Sequence, residues 1–128
     1  MSETTLRRVG WLLTALFALF MLGASVLPKL AGMAVARDPM VALGWPEAPL
    51  LLIGGIELVS TLLFVVPATG LLGAVLMMGL LGGAIATNLQ GNAPLASHTL
   101  FGVYLSTFMW LGLILRDPRI RAVFPLVR

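Results

Sequence analysis

Four runs of nearly unbroken apolar residues, at about 9–27, 50–66, 71–89 and 98–115, alternate with short segments rich in proline, glycine or charge. Each run approaches the roughly 20 residues that an α-helix needs to cross the hydrocarbon core of a bilayer. The pattern predicts an all-α integral membrane four-helix bundle. A cleaved signal peptide competes for the first run, because Met1 to Arg8 supplies a basic leader and Gly23-Ala24-Ser25 are small. The length of the run favours a retained helix.

The breaks between the runs set the order of the helices. Lys29 to Pro49 is the longest loop expected, with Arg37-Asp38-Pro39 and Gly44-Trp45-Pro46-Glu47 as turn signals and Trp45 as an interfacial anchor. Pro67-Ala68-Thr69-Gly70 is short enough to force the second and third helices together as antiparallel neighbours. The third run is crowded with small residues, and Gly79 and Gly83 stand in GxxxG spacing. Such residues let helix backbones approach closely in a bilayer, either within the bundle or between two copies of the chain. A tail from Val123 to Arg128 is expected at the membrane interface.

Composition agrees: 59% of the residues are hydrophobic and 10% charged, and the 128 residues are read as a single transmembrane domain. Mean hydropathy is +1.04. The chain has no cysteine, which removes disulfides, dithiol redox chemistry and thiolate metal sites. The formal charge of +3 does not point to nucleic acid, because the eight Lys and Arg flank apolar runs. Arg7, Arg8, Arg116, Arg119, Arg121 and Arg128 fall on one side, and Lys29 and Arg37 on the other. The positive-inside rule therefore puts both termini in the cytoplasm.

Glu57 is the one carboxylate within a span. An ionisable group there is costly, by roughly 2.5–3.5 kcal/mol on insertion scales, and asks for a reason. Ser25, Lys29, Thr87, Asn88 and His98 gather toward the same mouth of the bundle, and Tyr104 stands at comparable depth. Glu57 and Thr61 share a helix face at i, i+4, as do Ser25 and Lys29. These positions predict an outward-facing polar pocket floored by Glu57 and Tyr104, with Thr61 beside them and Lys29, Asn88 and His98 at the rim. Three readings of Glu57 stand: a structural hydrogen-bonding group, a group that binds ligand or moves protons, or a lipid-facing residue without a role. His98 is either a hydrated interfacial residue or an acid-base group, and Lys29 either a snorkelling residue or the partner of Glu57. One His beside one Glu offers too few ligands for a metal.

Several local patterns follow one another along the chain: Lys29-Leu30, Leu43-Gly44-Trp45-Pro46, Gly55-Ile56-Glu57-Leu58, Pro67-Ala68-Thr69, Leu72-Gly73-Ala74, Gly82-Gly83-Ala84-Ile85-Ala86-Thr87, His98, and Trp110-Leu111-Gly112-Leu113 running into Leu115-Arg116-Asp117-Pro118-Arg119. In this order they make the chain resemble the DoxX-like family of small bacterial membrane proteins. The chain departs from the family pattern at Ala68, where Arg is common, and at Asn88 and Gln90, where basic residues or His often sit. The resemblance implies a multi-pass protein of the bacterial inner membrane. Its relatives include a membrane subunit of a thiosulfate:quinone oxidoreductase, and similar eukaryotic bundles look like cargo receptors and assembly chaperones. Three functions follow as expectations: an accessory or scaffold component of a membrane complex, a quinone-associated redox subunit, or a small-solute or proton carrier. Lipid, a protein partner in a membrane complex and a second copy joined through Gly79 and Gly83 are the partners expected.

Overall fold

The computed structural model describes residues 1–45 and 49–127. Pro46 and Glu47 of the expected turn, and Arg128 of the charge count, lie outside them. Helix α1 runs over Glu3–Leu30, and its first turn is capped by the Ser2 hydroxyl, which accepts the Thr5 N–H at 3.2 Å. It exceeds the expected span at both ends because Arg7 and Arg8 continue the helix outside the apolar run. Within it, Met21–Val26 form a wide π turn. Pro28, two residues beyond it, has no N–H and crowds the carbonyl four residues back, which accounts for the loosened ladder.

The expected long loop contains a short helix, α2 (Ala34–Ala42), which has Pro39 inside it and no buried residue. Proline is tolerated there because the helix is brief and lies at the surface. Leu43 anchors its end, reaching to within 2.4 Å of where a Cβ on Gly91 would stand. Helix α3 (Leu50–Val65) is 16 residues long, about 24 Å at 1.5 Å per residue and shorter than a typical hydrocarbon core. Prolines bound it: Pro49 precedes it, and Val66 is forced into extended backbone by Pro67. A single 3-10 turn, Pro67–Thr69, leads into α4 (Gly70–Gln90). Helix α5 (Leu95–Arg116) opens with a second π turn, and Asp117 caps α6 (Pro118–Val123) by accepting the Arg119 N–H at 2.9 Å. The tail thus begins as a helical turn, with Phe124 stacked on Trp110 at a centroid distance of 4.4 Å.

The long helices α1, α3, α4 and α5 form an up-and-down bundle in which α1 packs on α5 and α3, and α4 packs on α3 and α5. Phe17, Met21, Phe64, Met77, Met109 and Leu113 fill the centre, and Phe17 meets Phe64 edge to face at 5.4 Å. Leu12, Leu16, Leu19, Leu51, Leu52, Leu62 and Val75 face outward. So continuous an apolar exterior is a lipid surface rather than a water-facing one.

Close helix approach depends on glycines other than the pair expected. A Cβ at Gly10 would lie 2.3 Å from the backbone nitrogen of Arg116, and one at Gly73 would lie 2.2 Å from that of Phe64. These positions draw α1 onto α5 and α3 onto α4. Gly79 and Gly83 are exposed and have open space beside them, so they do not pack within the bundle. GxxxG spacing places two glycines on one helix face, but which face turns inward is decided by where larger residues such as Met77 and Leu81 find neighbours.

Candidate functional site

One turn before Glu57 on α3 lies Gly54, where a Cβ would come within 3.0 Å of the Lys29 side chain. The missing side chain lets the end of α1 settle on α3, where the π turn presents Ser25 and the α-helical turn after it presents Lys29 to Glu57. Ser25 Oγ donates to Glu57 Oε2 at 2.8 Å and accepts from Lys29 Nζ at 2.7 Å. Lys29 Nζ also lies 3.1 Å from Glu57 Oε1. The Glu57 and Lys29 side chains are only 7% and 17% exposed. Desolvating both charges is costly, and their contact offsets that cost because the hydroxyl supplies a further hydrogen bond. Of the two readings of Lys29, the structure selects the partner of Glu57.

This unit forms one wall of a cavity of about 230 Å³ lined by residues of α1, α3, α4 and α5. Asn88, His98 and Thr99 add polar groups, and Phe20, Leu81, Ile85, Phe101 and Leu105 supply apolar surface. Phe20 and Phe101 meet at 5.7 Å and are about 40% exposed, so one wall is a pair of half-exposed rings. Asn88 Nδ2 donates to the Ala84 carbonyl at 2.8 Å, and His98 Nδ1 lies 2.7 Å from Ser97 Oγ.

Glu57, Lys29, Asn88 and His98 therefore converge on one cavity, whereas Tyr104 and Thr61 do not. Tyr104 is 50% exposed and its hydroxyl donates to the Ala96 carbonyl at 2.9 Å. It stands two residues from Gly102, which lines the cavity, and about 100° per residue turns it to the far side of α5. Thr61 is fully buried, and its hydroxyl donates to the Glu57 backbone carbonyl at 2.7 Å, the local bond that threonine makes within helices. Ser25, outside the expected pocket set, joins the two charges; its signal in the sequence is the i, i+4 spacing with Lys29.

The opposite half of the bundle holds a buried cation. Arg116 is 4% exposed. Its Nη1 donates to Thr14 Oγ1 at 3.1 Å and its Nη2 to the Phe64 carbonyl. The guanidinium carbon sits 4.5 Å from the Trp11 ring centre and 4.6 Å from that of Phe64. Pro67 explains the arrangement. It ends α3 and leaves late carbonyls without intrahelical donors. The Thr69 hydroxyl takes the Leu63 carbonyl at 2.7 Å, and Arg116 takes that of Phe64. Arg121 serves α5 similarly, donating to the Ile114 and Leu115 carbonyls at 3.1 and 2.7 Å.

Long apolar helices, a lipid-facing exterior and buried charges met by groups of the bundle itself define a polytopic helical membrane protein. Three helices are long and apolar enough to span a membrane, and α3 is a shorter apolar fourth. The family model described as the DoxX-like family matches residues 12–112, most of the chain, and the chain belongs to that family. No curated protein and no solved structure matches it.

Proposed function

We propose that this DoxX-like chain is an accessory component of a membrane complex in the bacterial inner membrane, with both termini cytoplasmic, and that its pocket seats the polar end of an amphipathic membrane molecule. The observation that carries this reading is the Lys29–Ser25–Glu57 unit at the wall of an otherwise largely apolar cavity. A buried ion pair is weak evidence for stability, since apolar residues of similar volume often do as well. Ionisable groups at membrane depth are by default functional. At about 230 Å³, the cavity is smaller than the roughly 300–1,000 Å³ of sites that enclose a whole drug-sized ligand, which favours a headgroup.

A quinone headgroup suits this chemistry. Its carbonyl oxygens would accept from the Lys29 ammonium and from His98, while its tail remained among apolar side chains and lipid. The protein would bind and orient the headgroup, and a partner would handle electrons. A carrier path through one chain is disfavoured by the centre below the pocket, where Phe64, Met77 and Met109 are fully buried. A second copy, docked on the outward face of Gly79 and Gly83, is one partner of this kind.

Quinone titration of the full chain in nanodiscs tests the pocket. Glu57→Gln and Lys29→Gln should each weaken binding by about tenfold, the equivalent of one charged hydrogen bond. Equal affinity in all three proteins would remove the pocket from the reading. Affinity purification in mild detergent at native expression should recover a defined partner, and recovery of the chain alone would count against an accessory role.

A further inference from the structure

A second cavity, of about 250 Å³, lies at the Arg116 end of the bundle, where α1 begins and α5 finishes. Arg7 and Trp11 of α1, Arg116 of α5, and Asp117 and Arg119 at the start of α6 contribute to its lining. Its charge is unbalanced. Arg116 has five N–H donors, and its partners are two neutral oxygens and two aromatic rings. Among the described residues no carboxylate lies within 4.0 Å of Arg116 or Arg7. Asp117 is committed elsewhere: Oδ1 accepts Arg119 Nε at 3.1 Å, and Oδ2 accepts Arg119 Nη2 at 2.8 Å. Three arginines thus share one aspartate around the cavity. A buried cation with no carboxylate in contact is costly, and ring faces and helix-end carbonyls compensate only part of a full charge.

We propose that this cavity binds a phosphate-bearing anion, the headgroup of an anionic phospholipid, between Arg7, Arg116 and Arg119. Guanidinium groups match phosphate oxygens in fork geometry. The cavity lies at the ends of the apolar runs of α1 and α5, and Trp11, 37% exposed, has the amphipathic ring that favours the headgroup layer. Leu12, next to Trp11, and Leu71, one turn beyond Pro67, are exposed apolar side chains along which acyl chains could lie. A lipid phosphate is therefore favoured over free phosphate. This site is separate from the pocket beside Glu57 and independent of what that pocket holds.

Native mass spectrometry of the full chain in mild detergent, equilibrated with equal phosphatidylglycerol and phosphatidylcholine, tests the site. Phosphatidylglycerol should be retained preferentially. Arg7→Gln, at an exposed position, should cut that retention by about tenfold, one charged contact, with the melting temperature of the lipid-free protein unchanged. Saturable binding of inorganic phosphate alone that displaces the lipid would keep the site and make free phosphate its occupant. Equal retention of the two lipids without phosphate binding, or retention of phosphatidylglycerol unaffected by Arg7→Gln, would overturn the proposal.

Discussion

The two ends of the bundle each bury a cation, and they hold it differently. Lys29 meets a carboxylate through a shared hydroxyl, so the cluster beside Glu57 is neutral as a whole. Arg116 meets ring faces and the carbonyl end of a helix, and its full charge persists. The difference follows the chemistry of the two side chains. An ammonium is a compact, strongly hydrated point charge that tolerates burial best beside an anion, whereas a guanidinium is flat, weakly hydrated and suited to stacking and to several oxygens at once. The two ends should therefore answer mutation differently.

The largest effect is expected from removing the anion at the Glu57 end. Glu57→Ala leaves the Lys29 ammonium buried without its counter-charge and should destabilise the bundle by about 3–5 kcal/mol. Reversible unfolding in mixed micelles would measure it. The double variant Glu57→Leu/Lys29→Met should recover most of the loss, and a double variant as unstable as Glu57→Ala would mean that the charges are not coupled.

At the other end Arg116→Lys keeps the charge and loses the fork to Thr14 and Phe64. A cost of about 1–3 kcal/mol is expected by the same assay, and wild-type stability would show that charge alone matters there. A comparable loss, about 1–3 kcal/mol, should follow Gly10→Ala, because the new methyl would meet the α5 backbone. Gly83→Ala, which meets open space, should stay within about 0.5 kcal/mol. If these two glycine variants behaved alike, the assignment of inward and outward faces would be wrong.

The smallest effect concerns Asp117, whose carboxyl is held below its ordinary range chiefly by the hydrogen bond from Arg119. Because its pKa is depressed in the folded protein, its contribution to stability is present above the unfolded value and is lost as pH falls through the folded one. Amide exchange in α6 should stay constant from neutral pH down to about 4, the ordinary aspartate value, once corrected for intrinsic rates. Protection should then fall at more acid pH, and Asp117→Ala should abolish the transition. A step near neutral pH would assign the effect to another group.

Much of this architecture was legible because hydrocarbon imposes a simple rule: a segment that crosses it must be apolar and must satisfy its own backbone. Four apolar runs and the tight break at Pro67 thus sufficed for four helices and for the pairing of α3 with α4. Glu57, Lys29, Asn88 and His98 were found as a set because depth along a helix is countable at a constant rise per residue. Rotation about the axis was less legible. Tyr104 and Gly83 have suitable depths and face outward, since the azimuth of a helix is set by which neighbours its larger side chains meet. Arg116 was counted as a topological charge because a residue at the end of an apolar run can point to water or turn inward with equal ease.

That the chain is a helical membrane bundle of the DoxX-like kind, with an internal carboxylate beneath one mouth, can be read from its residues in order. That Ser25 bridges Lys29 to Glu57, that Tyr104 turns away, and that Arg116 closes the end of α3 emerge once the helices pack. Hydrophobicity and rise per residue are properties of each helix alone and survive in one dimension. A hydrogen bond between two helices depends on their rotation, tilt and separation together, and those are settled by the packing of Gly10 and Gly73 against the backbones they approach.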